Sequence, residues 1–272
     1  MKTKVIVFRH HLQSVQFTDE KIYIHPNEIR MDKIINRLGR KIVVPSMGVY
    51  KGMEQFEKVN LKKVSIIPYI YDFSKYKSPN PQKIEEIKTH YPCKLRLIMI
   101  SRLVKLKRHH LVFPVIKELV QNGYDIKMLV LDQGPEKDNL MEYINNNGLS
   151  ESIILIGYTN DFVNYMAACD LLIQPSLSDA SNSAAKEMSL FGKPVAVSNN
   201  VGDYNDYVKD NVNSYLIPVS DSSRHIKNII LHAYNNPQKL IVMGELLKKE
   251  VISRFDASHA SNIMLLYESL LK

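Results

Sequence analysis

LLIQPSLSDASNSAAKEMSLFGKPVAVS, residues 171–198, is the stretch on which the fold turns. Two short apolar runs, LLIQPS (171–176) and PVAVS (194–198), flank a segment of helical character over about 181–191. Strand runs that stay apolar at every position, joined through a helix, predict parallel neighbours in a sheet covered on both faces. The helix has an unusual beginning. Ala180, Ser181, Asn182, Ser183, Ala184 and Ala185 are all small, where a helix that only filled a core would carry bulk. Ser181 and Asn182 are good N-cap types, so the helix aims its positive end out of the carboxyl edge of the preceding strand. In an open parallel sheet that edge is where ligands bind.

The same alternation runs outward on both sides. LRLIMIS (95–101), DIKMLVLD (125–132), SIILIG (152–157) and SYLIP (214–218) read as further strands. Helices are expected near 109–121, 135–147, 160–168 and 203–209. This predicts an α/β class, with one complete doubly wound, Rossmann-like domain. Ahead of it, KVIVFRHH (4–11), KIVVPS (41–46) and KVSIIP (62–67), with helices near 27–38 and 47–58, read as half of a second such domain. YDFSKYKSPNPQ (71–82), rich in proline and poor in apolar residues, reads as a connection. Beyond residue 221 the pattern is helical, with breaks near 235–238 and 254–258.

At 272 residues and 45% hydrophobic, the chain has enough apolar material for one or two real cores and is too apolar for a disordered protein. No apolar run approaches the ~18 residues of a membrane span. MKTKVIVFRHH meets charge at Arg9 and reads as a strand rather than a signal peptide. Cys93 and Cys169 stand far apart, which argues against a disulfide framework or a zinc site and for a reducing cytoplasm. The net charge of +8 lies wholly in the first third: residues 1–91 hold 17 Lys and Arg against 9 Asp and Glu, and the remainder holds 19 of each. An anionic surface or ligand on that side is expected, but no nucleic-acid motif accompanies the charge.

Two clusters carry chemistry. Ser183 and Glu187 are four apart and share a helix face, so Glu187 looks into the crevice one turn below the helix start. A carboxylate there can accept both hydroxyls of a vicinal diol such as a ribose, and Asp179, just before the helix, can hold hydroxyls of a second sugar. In SRLVKLKRHH (101–110), Arg102, Lys105, Lys107 and Arg108 crowd the carboxyl end of a strand. Cations facing a helix N-terminus make a diphosphate site. In LDQGPEKDNL (131–140), Gly134-Pro135 closes a strand and opens a helix.

Taken in order, SRLVKLKR, DQGP, IGY, CDLLIQPS, D-x7-E, GKPV and VGDYNDYVKDNVNSYLIP resemble the motif series of retaining nucleotide-sugar glycosyltransferases, family 4, of the glycogen-synthase-like group with the B-type fold. The resemblance implies a B-type fold divided as follows: a partial acceptor-side Rossmann-like domain over 1–75, a linker over 76–92, a nucleotide-sugar domain over 93–253, and a C-terminal helix over 254–272 packing back on the first part. It implies a UDP- or GDP-sugar donor, a glycan or lipid-linked acceptor, no metal and no cofactor. It gives Arg102 and Lys107 the donor diphosphate, Glu187 the ribose, and Asp179 the transferred sugar. The amides near Asn182 and Ser183 take the distal phosphate, the backbone at Tyr158 the base, and Gly134 belongs to the donor loop. His10, or its neighbour His11, would face the donor sugar from the first domain. The basic first third adds peripheral association with the inner face of a membrane to these expectations.

Departures from the family pattern qualify the resemblance. Asp179 is one methylene shorter than the family's Glu, and Ser101, Asn211 and Ser214 stand where the family has Gly. Family members carry a complete first domain, about a hundred residues more, so a start at that domain's middle strands is expected. Two other functions fit the same residues: a non-catalytic nucleotide-sugar-binding fragment or partner subunit, and an epimerase or phosphorylase on the same fold.

Overall fold

The computed structural model describes residues 5–10, 26–76 and 78–271. Its first sheet holds β1 (Ile6–Phe8), β2 (Lys41–Val44) and β3 (Val64–Ile66), all parallel and in that order. Between β1 and β2 lies α1 (Pro26–Leu38), and α2 (Met47–Gln55) follows β2. Ser46 caps α2 by accepting from the Val49 amide at 3.2 Å. Ile42, Val44, Val49, Met53 and Val64 make the core between α2 and the sheet. On the α1 side a buried charge does the joining: Arg9 pairs with Asp32 at 2.8 Å and Glu57 at 2.9 Å, and donates to Asn36 at 3.2 Å. Multiple partners of this kind are what a buried guanidinium requires.

The second sheet is larger. β4 (Leu95–Ile100), β5 (Ile126–Leu131), β6 (Ile153–Gly157), β7 (Leu171–Gln174), β8 (Val195–Ser198) and β9 (Tyr215–Ile217) are all parallel, in the order β6-β5-β4-β7-β8-β9. The chain grows outward from β4 to β6, then crosses back to lay β7 on the other side of β4. Connections therefore leave β4 and β7 towards opposite faces, and a crevice opens between their carboxyl ends. Ile98, Leu172 and Val197 are fully buried on one face, and Leu97, Leu171 and Ile173 on the other. This is why these strands read as unbroken apolar runs.

Helices α4 (His109–Gln121), α5 (Lys137–Asn146), α6 (Phe162–Ala168), α7 (Ser183–Leu190) and the short α8 (Tyr204–Tyr207) fall within a few residues of their predicted spans. The stretch 76–92 contains α3 (Pro81–His90), a helix absent from the periodicity reading. Asn80 caps it by accepting from Gln82 at 2.9 Å, and α3 packs on α6 through buried Ile87 and the Lys83–Asp161 pair at 3.0 Å. The helical end of the chain comprises α9 (Ser222–Asn235), α10 (Pro237–Phe255) and α11 (Ala260–Leu271).

Two crossings join the sheets, and they bond to each other. The Tyr71 amide donates to Phe255 O at 2.7 Å, and the Ala257 amide donates to Tyr71 O at 3.0 Å. Beyond this point α11 brings Tyr267 to 5.8 Å from the Phe8 ring, next to Ile6, Val43 and Ile67 of the first sheet. Among the described residues no helix is long and apolar enough to cross a membrane.

Candidate functional site

A cavity of about 320 Å³ opens at the crevice between β4 and β7. Arg102, Lys107, Tyr158, Asn182, Ser183 and Glu187 line it, together with Asp132 at the end of β5. The residues chosen from sequence for phosphate, base and ribose thus share one cavity.

Its cationic wall is built by the turn after β4. Ser101 is buried and Leu103 plugs the core, which leaves Arg102 exposed between them. A single 3-10 turn over Lys105–Lys107 ends at Arg108, whose left-handed backbone (φ 57°, ψ 36°) swings the chain into α4. The Arg108 guanidinium reaches Ser222 Oγ and Val219 O, both at 3.2 Å, and so ties this turn to the start of α9. Lys105 points into solvent. Gly134 does not line the cavity. It lies behind the turn, where a Cβ would collide with the Leu103 carbonyl. The absence of that atom lets Leu103 N donate to Gln133 O and Glu136 N donate to Leu103 O, both at 3.0 Å.

The opposite wall is α7. Asn182 is its N-cap, accepting from the Ala185 amide at 2.9 Å. The first-turn amides of Ser183 and Ala184 have no acceptor within the helix, and both residues line the cavity. Ala184 and Ala185 are buried in the core below, which explains the small residues there.

The two acids meet different surroundings. Asp179 is held by Lys107 Nζ at 2.5 Å, Tyr204 Oη at 3.1 Å and Asn182 Nδ2 at 3.4 Å. Its backbone is pinned as well, because Gly202 (φ 55°) packs on the Asp179 carbonyl where no side chain would fit. Glu187 is half-buried on the α7 face and accepts from Tyr76 Oη at 3.0 Å. Burial raises its carboxyl pKa, while hydrogen bonds from Tyr76 and Ser183 and the charge of Lys186 pull it back.

Lys186 was invisible to the sequence reading. It is fully buried beneath the α7 N-terminus, paired with Asp203 at 2.7 Å and donating to Ser181 Oγ at 2.9 Å. The rings of Phe255, Tyr207 and Tyr71 surround its ammonium at 4.6, 5.0 and 5.4 Å. Burial lowers its pKa, against the raising influence of Asp203. A lysine beside Glu187 in an amphipathic helix reads as solvated. Only the coverage of α7 on both sides, by the sheet and by α10, shows otherwise.

His10 does not line the cavity described above. Its ring stacks on Tyr69 (5.6 Å, 22°), and its Nδ1 is hydrogen-bonded to the Tyr69 hydroxyl. The pair borders a separate cavity of about 190 Å³ with Phe8, Pro45 and Tyr267. Burial and the charge of Asp203 raise the Tyr69 pKa. His11 lies outside the described residues. Among the described residues no three His, Cys, Asp or Glu side chains come together as a metal site.

The family described as Glycosyl transferases group 1 matches residues 81–250, from the start of α3 into α10, and so takes in this whole cavity. The chain belongs to the glycosyl transferases group 1 family.

Curated relatives include the poly(ribitol-phosphate) alpha-N-acetylglucosaminyltransferase of Staphylococcus aureus (strain COL), 23% identical over 64% of this chain and 35% of that protein. Another is the UDP-Gal:alpha-D-GlcNAc-diphosphoundecaprenol alpha-1,3-galactosyltransferase of Escherichia coli, 24% identical over 73% of this chain and 52% of that protein. The chain spans about a third to a half of the length of these relatives. Among solved structures, Anabaena HepE in complex with UDP superposes with a TM-score of 0.82 at 20% identity, over 98% of this chain and 72% of that one. TarM gives 0.79 at 18% identity, over 98% and 50%. The fold is the B-type glycosyltransferase fold, with two parallel α/β sheets.

Proposed function

We propose that the chain transfers a sugar, with retention, from a UDP- or GDP-sugar to a glycan or lipid-linked acceptor, as a family 4 member. One observation carries this: Arg102, Lys107, the α7 N-terminus and Glu187 open onto one cavity at the switch point of the sheet. Cleaving the sugar–phosphate bond leaves an oxocarbenium-like sugar and a nucleoside diphosphate whose terminal phosphate has become dianionic. Arg102, Lys107 and the Ser183 and Ala184 amides are prearranged cations and dipoles for that leaving charge, usually the largest single contribution to such a reaction. Glu187 takes the ribose diol, the backbone at Tyr158 takes the base, and Asp179 takes hydroxyls of the transferred sugar. Held by three donors, Asp179 is a poor nucleophile, which supports front-face attack assisted by the leaving phosphate. His10 and Tyr69 border a separate cavity, so no contact to the donor is assigned to them.

The UDP in the HepE complex and the diphosphoundecaprenol acceptor of the E. coli relative support the donor and acceptor classes. The cation excess over residues 1–91 supports peripheral association with an anionic membrane surface, at roughly 1 kcal/mol per charge. The free thiols of Cys93 and Cys169 fit a cytoplasmic setting.

Calorimetric titration with UDP and GDP tests the donor site, and absence of binding by both overturns it. NMR of the anomeric proton in the product tests retention. Nucleotide binding without any turnover of a nucleotide sugar would favour the non-catalytic binding protein instead.

A further inference from the structure

Glu187 accepts a hydrogen bond at 3.0 Å from Tyr76 Oη, a residue 111 positions earlier and outside the second sheet's own elements. Tyr76 sits on the crossing between the sheets, just after the 3-10 turn Phe73–Lys75. Its ring packs on Phe73 at 6.1 Å, and Phe73 stacks on Tyr71 at 5.7 Å with the planes 4° apart. Tyr71 in turn contacts Ser181 Oγ at 3.2 Å. The crossing therefore lays an aromatic ladder along α7, touching Ser181 before the helix start and Glu187 one turn inside it.

A carboxylate asked to hold a diol must be ionised and aimed. Burial opposes the charge on Glu187, and the Tyr76 hydroxyl is first among the groups that counter it. A carboxylate oxygen has a second lone pair, so one hydrogen bond to Oε1 leaves acceptor sites for two ribose hydroxyls. We infer that Tyr76 is a positioning residue of the donor site, whose hydroxyl fixes the Glu187 carboxylate to receive the ribose diol. This deepens the proposed function and rests on its assignment of ribose to Glu187. It also makes donor binding sensitive to the crossing between the sheets, since the group that aims Glu187 belongs to that crossing.

The test is calorimetry of UDP, GDP and their 2′,3′-dideoxy analogues on the wild-type chain, Tyr76→Phe and Glu187→Gln, with thermal unfolding to show that the variants are folded. Tyr76→Phe keeps the ring and its stacking and removes only the hydroxyl. It is expected to weaken whichever nucleotide binds the wild type by about tenfold, as for a lost hydrogen bond to a charged group. The dideoxy nucleotide is expected to bind wild type and Tyr76→Phe alike, because it has no diol to present. In turnover, KM for the donor rises and kcat stays near the wild-type value.

If Tyr76→Phe weakens normal and dideoxy nucleotides equally, or weakens neither while Glu187→Gln loses the nucleotide, the inference is overturned and the ribose reading survives. If Glu187→Gln binds the nucleotide as wild type does, the ribose reading fails, and this inference with it.

Discussion

The loop at Asp179 and the helix turn at Glu187 are eight residues apart and carry the same functional group, yet the fold treats them in opposite ways. Asp179 is heavily engaged: a lysine, a tyrosine and an asparagine all donate to it, and the Gly202 backbone packs against its carbonyl. Glu187 has one strong donor, Tyr76, and sits where burial disfavours its charge. The difference follows from position. Asp179 lies in a loop whose backbone would wander without side-chain ties, so its carboxylate helps to fix the loop. Glu187 stands on a helix already fixed by packing, which leaves its carboxylate available. In this site the acid on the more rigid element is the one poised for ligand.

The largest expected effect strikes beneath the Asp179 end. Asp203 holds Lys186 and Ser181 together in a buried pair and adjoins both Gly202 and Tyr204, which fix Asp179. Asp203→Ala leaves a buried ammonium without its counter-ion and should cost about 3–5 kcal/mol of stability in urea unfolding. Adding Lys186→Met should recover much of the loss, since the double variant buries no charge. A double variant as unstable as the sum of the two single ones would show the pair to be independent contacts.

Next in size is Glu187→Ala. Removing the carboxylate leaves the ribose hydroxyls without partners, a loss of about 1–3 kcal/mol in nucleotide binding by calorimetry. An unchanged affinity would erase the contrast between the two acids.

A smaller effect separates stability from binding. The Glu187 carboxyl pKa is raised in the folded protein, so its favourable contribution to stability is complete below its unfolded value and is lost as pH rises through the folded one. At neutral pH the ionised, half-buried carboxylate therefore weakens the fold. Glu187→Gln should unfold at slightly higher denaturant than wild type at pH 7, and the two should converge as pH falls below the ordinary glutamate range. A variant less stable than wild type at pH 7 would mean that the Tyr76 hydrogen bond outweighs burial.

The fold was legible because parallel strands buried on both faces leave continuous apolar runs, as LRLIMIS and LLIQPS do. The side chains that line the cavity were legible because strand ends and helix caps are punctuated: Arg102 stands two residues past the end of β4, and Asn182 and Ser183 open a helix. α3 escaped because Ile84 and Ile87 are its only aliphatic residues, although Asn80-Pro81 is a proper cap and first helical position. Lys186, Asp203, Tyr71 and Tyr76 escaped for another reason. Each acts through a partner distant in sequence, and nothing local to a lysine or a tyrosine shows that a helix from elsewhere covers it. Gly134 was seen as a turn in the donor loop, but its use is to let Leu103 approach, a packing fact between two loops.

The smallest effect is expected at Asp179, and its sign decides the comparison. With Asp179 present, Lys107 divides its charge between that carboxylate and any phosphate in the cavity. Asp179→Asn keeps the side-chain volume and an oxygen for Tyr204, but it removes the counter-ion. The freed Lys107 then attracts a nucleoside diphosphate more strongly, against the loss of loop order from a weakened tie. Both partners of the pair are mostly buried, at 16% and 12% exposure, so the released attraction is not fully screened by solvent. UDP or GDP should bind Asp179→Asn as well as wild type or a few-fold more tightly. Turnover of the nucleotide sugar should fall, because the contact to the transferred sugar is gone. Calorimetry and turnover on one preparation separate the two outcomes. Loss of the bare nucleotide in Asp179→Asn, with Glu187→Ala keeping it, would reverse the roles of the two acids.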